Sequence, residues 1–196
     1  MSEKALMRIK AATFDVGGVL YSDDAFKRAI FTALNLLTKV SQTEFDQVYL
    51  SHLSSQTGSL RSKLCESFLG SLSKKQELME LTNSRWLFND SDKYQDGADC
   101  LIKLKQAGLQ IGILANQPKT SADRLAQDGL LKYIDFLGIS ALVGFEKPDL
   151  NFFKLALAEL KFPADQVIHI GNRIDTDVKP AKTIGMKAVW VRRGEA

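Results

Sequence analysis

Hydrophobic and polar positions divide the chain into three stretches. Residues 9–15 form an apolar run that stops at Gly17-Gly18, which predicts a buried strand presenting the carboxylate of Asp15 at its carboxyl end. Residues 22–90 keep helical spacing throughout. Phe26, Ile30, Leu34 and Leu37 mark a first helix. Thr43 is the expected cap of a second, through Phe45, Val48 and Leu50 to His52. Leu60, Leu64, Phe68 and Leu69 mark a third, and Leu78, Leu81, Arg85 and Trp86 a fourth.

From about residue 94 helices and strands alternate. Asp96 is the expected cap of a helix through Cys100, Leu101, Leu104 and Ala107 that Gly108 ends. Strands are predicted at 109–115, 136–143, 167–171 and 186–191. Helices are predicted at 120–128, from Pro148 through Leu160, and at 175–184. Such alternation implies βαβ units and a parallel sheet. The predicted fold is therefore α/β: a doubly wound, Rossmann-like core from residues 1–20 and 93–196, interrupted by a four-helix cap domain over residues 21–92. An insert after the first strand is expected to sit over the carboxyl edge of the sheet, as a lid that excludes water and selects substrate.

Composition narrows the function classes. The 196 residues are 45% hydrophobic and 25% charged, ordinary values for a globular chain. A net charge of +3, from 26 basic and 23 acidic residues, is too small and dispersed to argue for nucleic acid. The first eight residues lack the apolar core of a signal peptide, and no apolar stretch approaches the ~20 residues needed to span a bilayer. A cytoplasmic, reduced setting is the expectation. Cys65 and Cys100 belong to no CxxC pair and are expected to be small buried hydrophobes.

Ligands of open parallel sheets bind at the carboxyl edge, so chemistry is sought where strands end. Four segments stand there: Asp15-Val16-Gly17-Gly18, Ala115-Asn116, Glu146-Lys147-Pro148-Asp149, and Gly171-Asn172-Arg173-Ile174-Asp175-Thr176-Asp177. Each has an ordinary reading: Asp15 and Asn116 as turn residues, Lys147 as a surface lysine before a helix, Asp175 and Asp177 as acidic residues complementing a helix dipole. His169 reads as a satisfied core histidine. Tyr21, Arg61 and Arg85 read as packing or surface residues that could also face the site from the insert.

Taken together, the four segments resemble the motifs of the haloacid dehalogenase-like hydrolase superfamily, in its helical-cap subgroup. The resemblance covers nearly the whole chain, in element order as well as in motifs. It implies a phosphatase acting on a small phosphorylated metabolite, with Asp15 as the nucleophile that forms an aspartyl-phosphate and Lys147 as the cation that neutralises phosphate and keeps Asp15 ionised. It places Asn116 and Lys147 at the phosphate and Asp15, the Gly17 carbonyl, Asn172 and Asp177 around Mg²⁺.

Three positions depart from the family pattern. Gly17 stands where the family carries its acid/base Asp, Ala115 where it carries a Ser or Thr hydroxyl, and Asn172 where it carries a metal-binding Asp. The expected consequences are slower protonation of poor leaving groups, costing ~10²–10⁴-fold, and weaker metal affinity. The alternative is a catalytically impaired member that binds a phosphorylated ligand or a protein partner. Dehalogenation, a third reading, lacks an evident halide-binding Arg. No nucleic acid or membrane partner is expected, and the sequence leaves the oligomeric state open.

Overall fold

The computed structural model describes residues 9–55 and 58–194. Within these, the residues through Ser22 and from Asp90 onward form one compact unit, and Asp23–Asn89 form a second.

The first unit is built on five parallel strands: β1 (Ala11–Phe14), β2 (Gln110–Ala115), β3 (Phe136–Ile139), β4 (Val167–Gly171) and β5 (Lys187–Trp190). Their order in the sheet is β3-β2-β1-β4-β5. Every residue of β1 is buried, and β2 is buried over five of its six positions. Continuous apolar runs of this kind suit strands with neighbours on both sides and covered faces. The chain steps from β1 to β2 and β3 on one side, then returns to place β4 on the other side of β1. The crevice between the carboxyl ends of β1 and β4 is thus the topological switch point, where ligands of such sheets bind.

The second unit holds α1 (Asp24–Leu37), α2 (Gln42–Ser55), α3 (Leu60–Leu64, continued as a π-helical turn to Leu69) and α4 (Lys75–Asn83). Its core joins Ile30 and Leu34 to Phe45, Tyr49, Leu64 and Leu78. The cap of α2 is Ser41, not Thr43. The Ser41 hydroxyl accepts from Glu44 N, and Glu44 Oε2 accepts from Ser41 N, a reciprocal box that satisfies two otherwise orphaned donors. The fourth helix stops before Arg85 and Trp86 because the chain turns at Ser84, with Arg85 N donating to Thr82 O.

Back in the first unit, the sheet is flanked by α5 (Gln95–Gln106), α6 (Thr120–Gln127), the single turn α7 (Ser140–Val143), α8 (Leu150–Leu160) and α9 (Lys179–Thr183). Phe152 and Phe153 of α8 are fully buried against Leu114 of β2, Val167 of β4 and Ala181 of α9. Each such side chain contributes roughly 1.5–3 kcal/mol through burial.

The strand predicted over 136–143 ends at Ile139 instead. Ser140 turns its hydroxyl to accept from Gln117 N, and Gly144, at φ 78°, closes the turn that follows. Helix α8 begins after Pro148 rather than on it, because the Asp149 side chain caps by accepting from Asn151 N. Asp96 lies inside α5, not at its cap. Cys65 is buried as expected, but Cys100 is exposed, since it falls on the outer face of α5. No helix among the described residues is long and apolar enough to cross a membrane.

Candidate active site

Loops at the carboxyl ends of the strands deliver each candidate residue. Asp15 follows β1, and its backbone N–H donates to Ile170 O of β4 at 2.9 Å, which locks the chain where it leaves the sheet. Asn116 follows β2, Lys147 follows β3 and α7, and Asn172 and Asp177 follow β4. The chain after Asp15 folds into a tight turn, with Leu20 N and Tyr21 N both donating to Val16 O. Gly18 has φ 65°, a left-handed conformation that favours glycine, whereas Gly17 has no positive φ. Gly17 is buried and brings no side chain to the site.

Lys147 is the centre of the arrangement. Its side chain is 2% exposed, and its Nζ lies 2.9 Å from Asp15 Oδ2 and 2.5 Å from Asp177 Oδ1. Asp15 Oδ1 accepts from Val16 N at 2.7 Å. Asp177 is fully buried: Oδ1 also meets His169 Nε2 at 3.1 Å, and Oδ2 accepts from Arg173 N at 2.9 Å. His169 Nδ1 meets the Thr13 hydroxyl at 2.9 Å across the β1–β4 pairing. With Nε2 donating to Asp177, Nδ1 is placed to accept from the Thr13 hydroxyl. The Phe153 ring edge closes over the imidazole, with centroids 5.4 Å apart. His169 is thus a satisfied core histidine, as the sequence suggested, and also a support for Asp177.

Electrostatics follow from this geometry. Burial works to lower the Lys147 pKa, but Asp15 and Asp177 outweigh it and keep the ammonium charged. Burial would raise Asp177, yet Lys147 and His169 hold it well below the usual carboxylate range. Asp15 goes the other way: burial raises its pKa, Lys147 offsets part of this, and the Asp177 charge raises it further. One cation serves two carboxylates, so the cluster keeps an excess of negative charge next to the nucleophile position.

Asn116 sets its amide against the backbone of Lys147. Its Nδ2 donates to Lys147 O at 2.8 Å and its Oδ1 accepts from Lys147 N at 2.7 Å, so both ends of the amide meet the Lys147 backbone. This two-bond clamp fixes the loop that carries the lysine. Asp177 turns its carboxylate inward, with Lys147 Nζ and His169 Nε2 on Oδ1 and Arg173 N on Oδ2. A Cβ on Gly171 would stand 2.4 Å from Asp177 Cβ and Cγ, so the glycine is what lets Asp177 fold back against β4. Asp175 is engaged by the Arg173 guanidinium at 2.8 and 3.0 Å. Of the side chains that might have served from the insert, Tyr21 belongs to the first unit and donates to Asp128 Oδ2 at 2.6 Å. Arg61 stacks over Phe26, and Arg85 donates to Leu81 O and the Ser84 hydroxyl.

Residues 9–185 match the family model described as hydrolase, haloacid dehalogenase-like. The chain belongs to this family. Among curated relatives, it is 32% identical over 96 residues to glyceraldehyde 3-phosphate phosphatase of Methanocaldococcus jannaschii, covering 48% of this chain and 42% of the relative. Phosphoserine phosphatase of Thermus thermophilus is 30% identical over 102 residues, covering 52% and 41%. The matched stretch therefore spans less than half of either relative. Among solved structures, a predicted phosphoglycolate phosphatase from Haemophilus somnus superposes with a TM-score of 0.78 at 17% identity, covering 95% of this chain and 87% of the other, which shows a shared fold.

Proposed function

We propose that this protein is a phosphatase acting on a small phosphorylated metabolite through an aspartyl-phosphate on Asp15. The observation that carries the reading is the buried Lys147 ammonium, 2.9 Å from Asp15 and backed by the buried Asp177. A charged lysine kept at the nucleophile by a second carboxylate suits a site that must accept an anionic phosphoryl group. The phosphatase names of the relatives support the same reaction class.

In the proposed reaction an Asp15 oxygen attacks phosphorus, the bond from phosphorus to the leaving oxygen breaks, and that oxygen departs with its electron pair and takes a proton from solvent. Lys147 balances charge on the phosphoryl oxygens. Water then attacks the aspartyl-phosphate at phosphorus, the Asp15–phosphorus bond breaks, and phosphate leaves with the carboxylate regenerated.

The donor set fits a hard divalent cation such as Mg²⁺ in modest fashion. Asp15, the Gly17 carbonyl and Asn172 are oxygen donors at the ends of β1 and β4, while Asp177 is committed to Lys147. Among the described residues no cluster of three or more His, Cys, Asp or Glu is placed for a metal. A bound Mg²⁺ supplies neutralisation of charge developing on the phosphoryl oxygens.

Assaying phosphate release from a panel of phosphorylated sugars, acids and amino acids, with wild type and Asp15→Asn in Mg²⁺, tests the reading. Turnover that Asp15→Asn abolishes supports it. Gly17 and Ala115 favour a second reading, a non-catalytic binder of phosphorylated ligands, which predicts binding of a panel member without phosphate release by the wild type.

A further inference from the structure

We propose that Arg193 is a positioning residue for the nucleophile turn. The inference rests on the phosphatase reading only for its kinetic readout. Arg193 follows β5 and lies outside all four motif segments. Its guanidinium nevertheless reaches the turn directly after Asp15: Nε donates to Gly18 O at 3.1 Å, and Nη2 donates to Val19 O at 2.6 Å. Nη1 donates to both carboxylate oxygens of Asp96 at 2.8 Å, in the first turn of α5. The planar group lies over the Tyr94 ring, 3.9 Å from its centroid. One rigid fork thus ties two carbonyls of the turn to a helix and an aromatic face, a geometry lysine cannot copy.

Two further observations tie this anchor to the site. Val19 O is pressed on α5 so closely that a Cβ on Gly97 would stand 2.3 Å from it. The Arg193 backbone carbonyl also accepts from Asn172 Nδ2 at 3.4 Å, and Trp190 Nε1 donates to Asn172 O at 2.9 Å. The end of β5 and the residues after it therefore grip both the turn carrying Gly17 and the Asn172 loop, from the side of the sheet where β4 and β5 lie. Lys147 and the Asn116 clamp hold Asp15 through loops after β2 and β3. The nucleophile turn is pinned from both directions. A carboxylate that must attack in line loses rate steeply when its turn drifts by even an ångström.

The test compares wild type, Arg193→Ala and Arg193→Lys, each first shown to be folded by its melting transition. Hydrogen exchange is followed for the amides of Gly18, Leu20 and Tyr21, which donate within the turn. Kinetics are measured in parallel with p-nitrophenyl phosphate and Mg²⁺. The expected result is exchange at least tenfold faster in residues 16–21, with β2 and β4 unchanged. With it should come a kcat roughly tenfold or more lower, KM within about threefold, and Arg193→Lys intermediate. Unchanged exchange at the turn, or faster exchange across the whole sheet, overturns the positioning role. If wild type hydrolyses nothing, the phosphatase reading fails while the exchange result still decides whether Arg193 holds the turn. Should Arg193→Ala not fold, Arg193→Lys carries the same comparison.

Discussion

Lys147 is held more closely by Asp177, at 2.5 Å, than by Asp15, at 2.9 Å. The residue at the nucleophile position therefore shares its lysine with a second buried carboxylate. Asp177 keeps its charge under all ordinary conditions and anchors the ammonium, so Asp15 is left with a shared counter-ion, a buried carboxylate and a raised pKa.

Asp15→Asn should abolish turnover and stabilise the fold when no divalent cation is present. A raised folded-state pKa means that the Asp15 contribution is fully present below the unfolded value of 3.8 and is lost as pH rises through the folded value. At neutral pH the ionised side chain costs stability, and Asn removes that cost. The gain should widen from pH 4 upward. Calorimetry in EDTA checks it; a variant that melts below wild type at pH 7 contradicts the assignment.

Asp177→Asn should do the opposite. It takes away the tighter partner of a buried ammonium, and breaking one side of such a pair costs about 3–5 kcal/mol. Urea unfolding at pH 7 should show a lower midpoint, and kcat should fall as Lys147 loses its anchor. A midpoint within error of wild type would mean that the Lys147–Asp177 contact carries little of the folding free energy.

Acid should weaken a separate contact in the same unit. Burial would raise the Asp128 pKa, but the Tyr21 hydroxyl and Arg124 outweigh it and lower the value. A depressed folded-state pKa gives stability that is present above the unfolded value of 3.8 and is lost as pH falls through the folded one. Asp128→Asn should therefore be destabilised by about 1–2 kcal/mol at pH 7 and approach wild type as pH falls below 4. Equal differences at both ends of the pH range would exclude this linkage.

Gly17→Asp should raise turnover of substrates with poor leaving groups. Gly17 has no positive φ, so its backbone accepts an L-residue, unlike Gly18 at φ 65°. A general acid in this place is worth ~10²–10⁴-fold, so phenyl phosphate should gain at least tenfold while p-nitrophenyl phosphate changes little. Equal gains on both, or none on phenyl phosphate, would remove Gly17 as the reason for leaving-group selectivity.

Most of the sheet was legible because the strands are largely apolar and alternate with helical spacing, and most motifs fall just past a strand end. Asp15 and Lys147 were legible for the same reason, and the structure brings them into contact. Other roles depended on where side chains turn, which spacing does not encode. Asn116 was expected to donate to a ligand, and its two-bond match to the Lys147 backbone was not foreseen. Asp177 was expected at a metal ion, but it folds back over Gly171 to meet Lys147 and His169. Gly171 itself was the available signal, since only a residue without Cβ admits that fold-back. Arg193 carried no motif at all, because its partners Gly18, Val19 and Asp96 lie about 100 or more residues away and its four side-chain bonds run to backbone carbonyls or to the Asp96 carboxylate.

The central claim is that Asp15 is a working phosphoryl acceptor despite Gly17, Ala115 and Asn172. A thermal shift with Mg²⁺ and beryllofluoride, on wild type and Asp15→Asn, tests it without a guess at the substrate, since beryllofluoride on a carboxylate imitates the aspartyl-phosphate. A ligand that binds only the folded state raises the melting temperature, by an amount worth about 2.7 kcal/mol at a hundredfold excess over its Kd. The account predicts a rise of several degrees in wild type that needs Mg²⁺ and beryllofluoride together and is missing in Asp15→Asn. No rise in wild type, or an equal rise in both proteins, would contradict it.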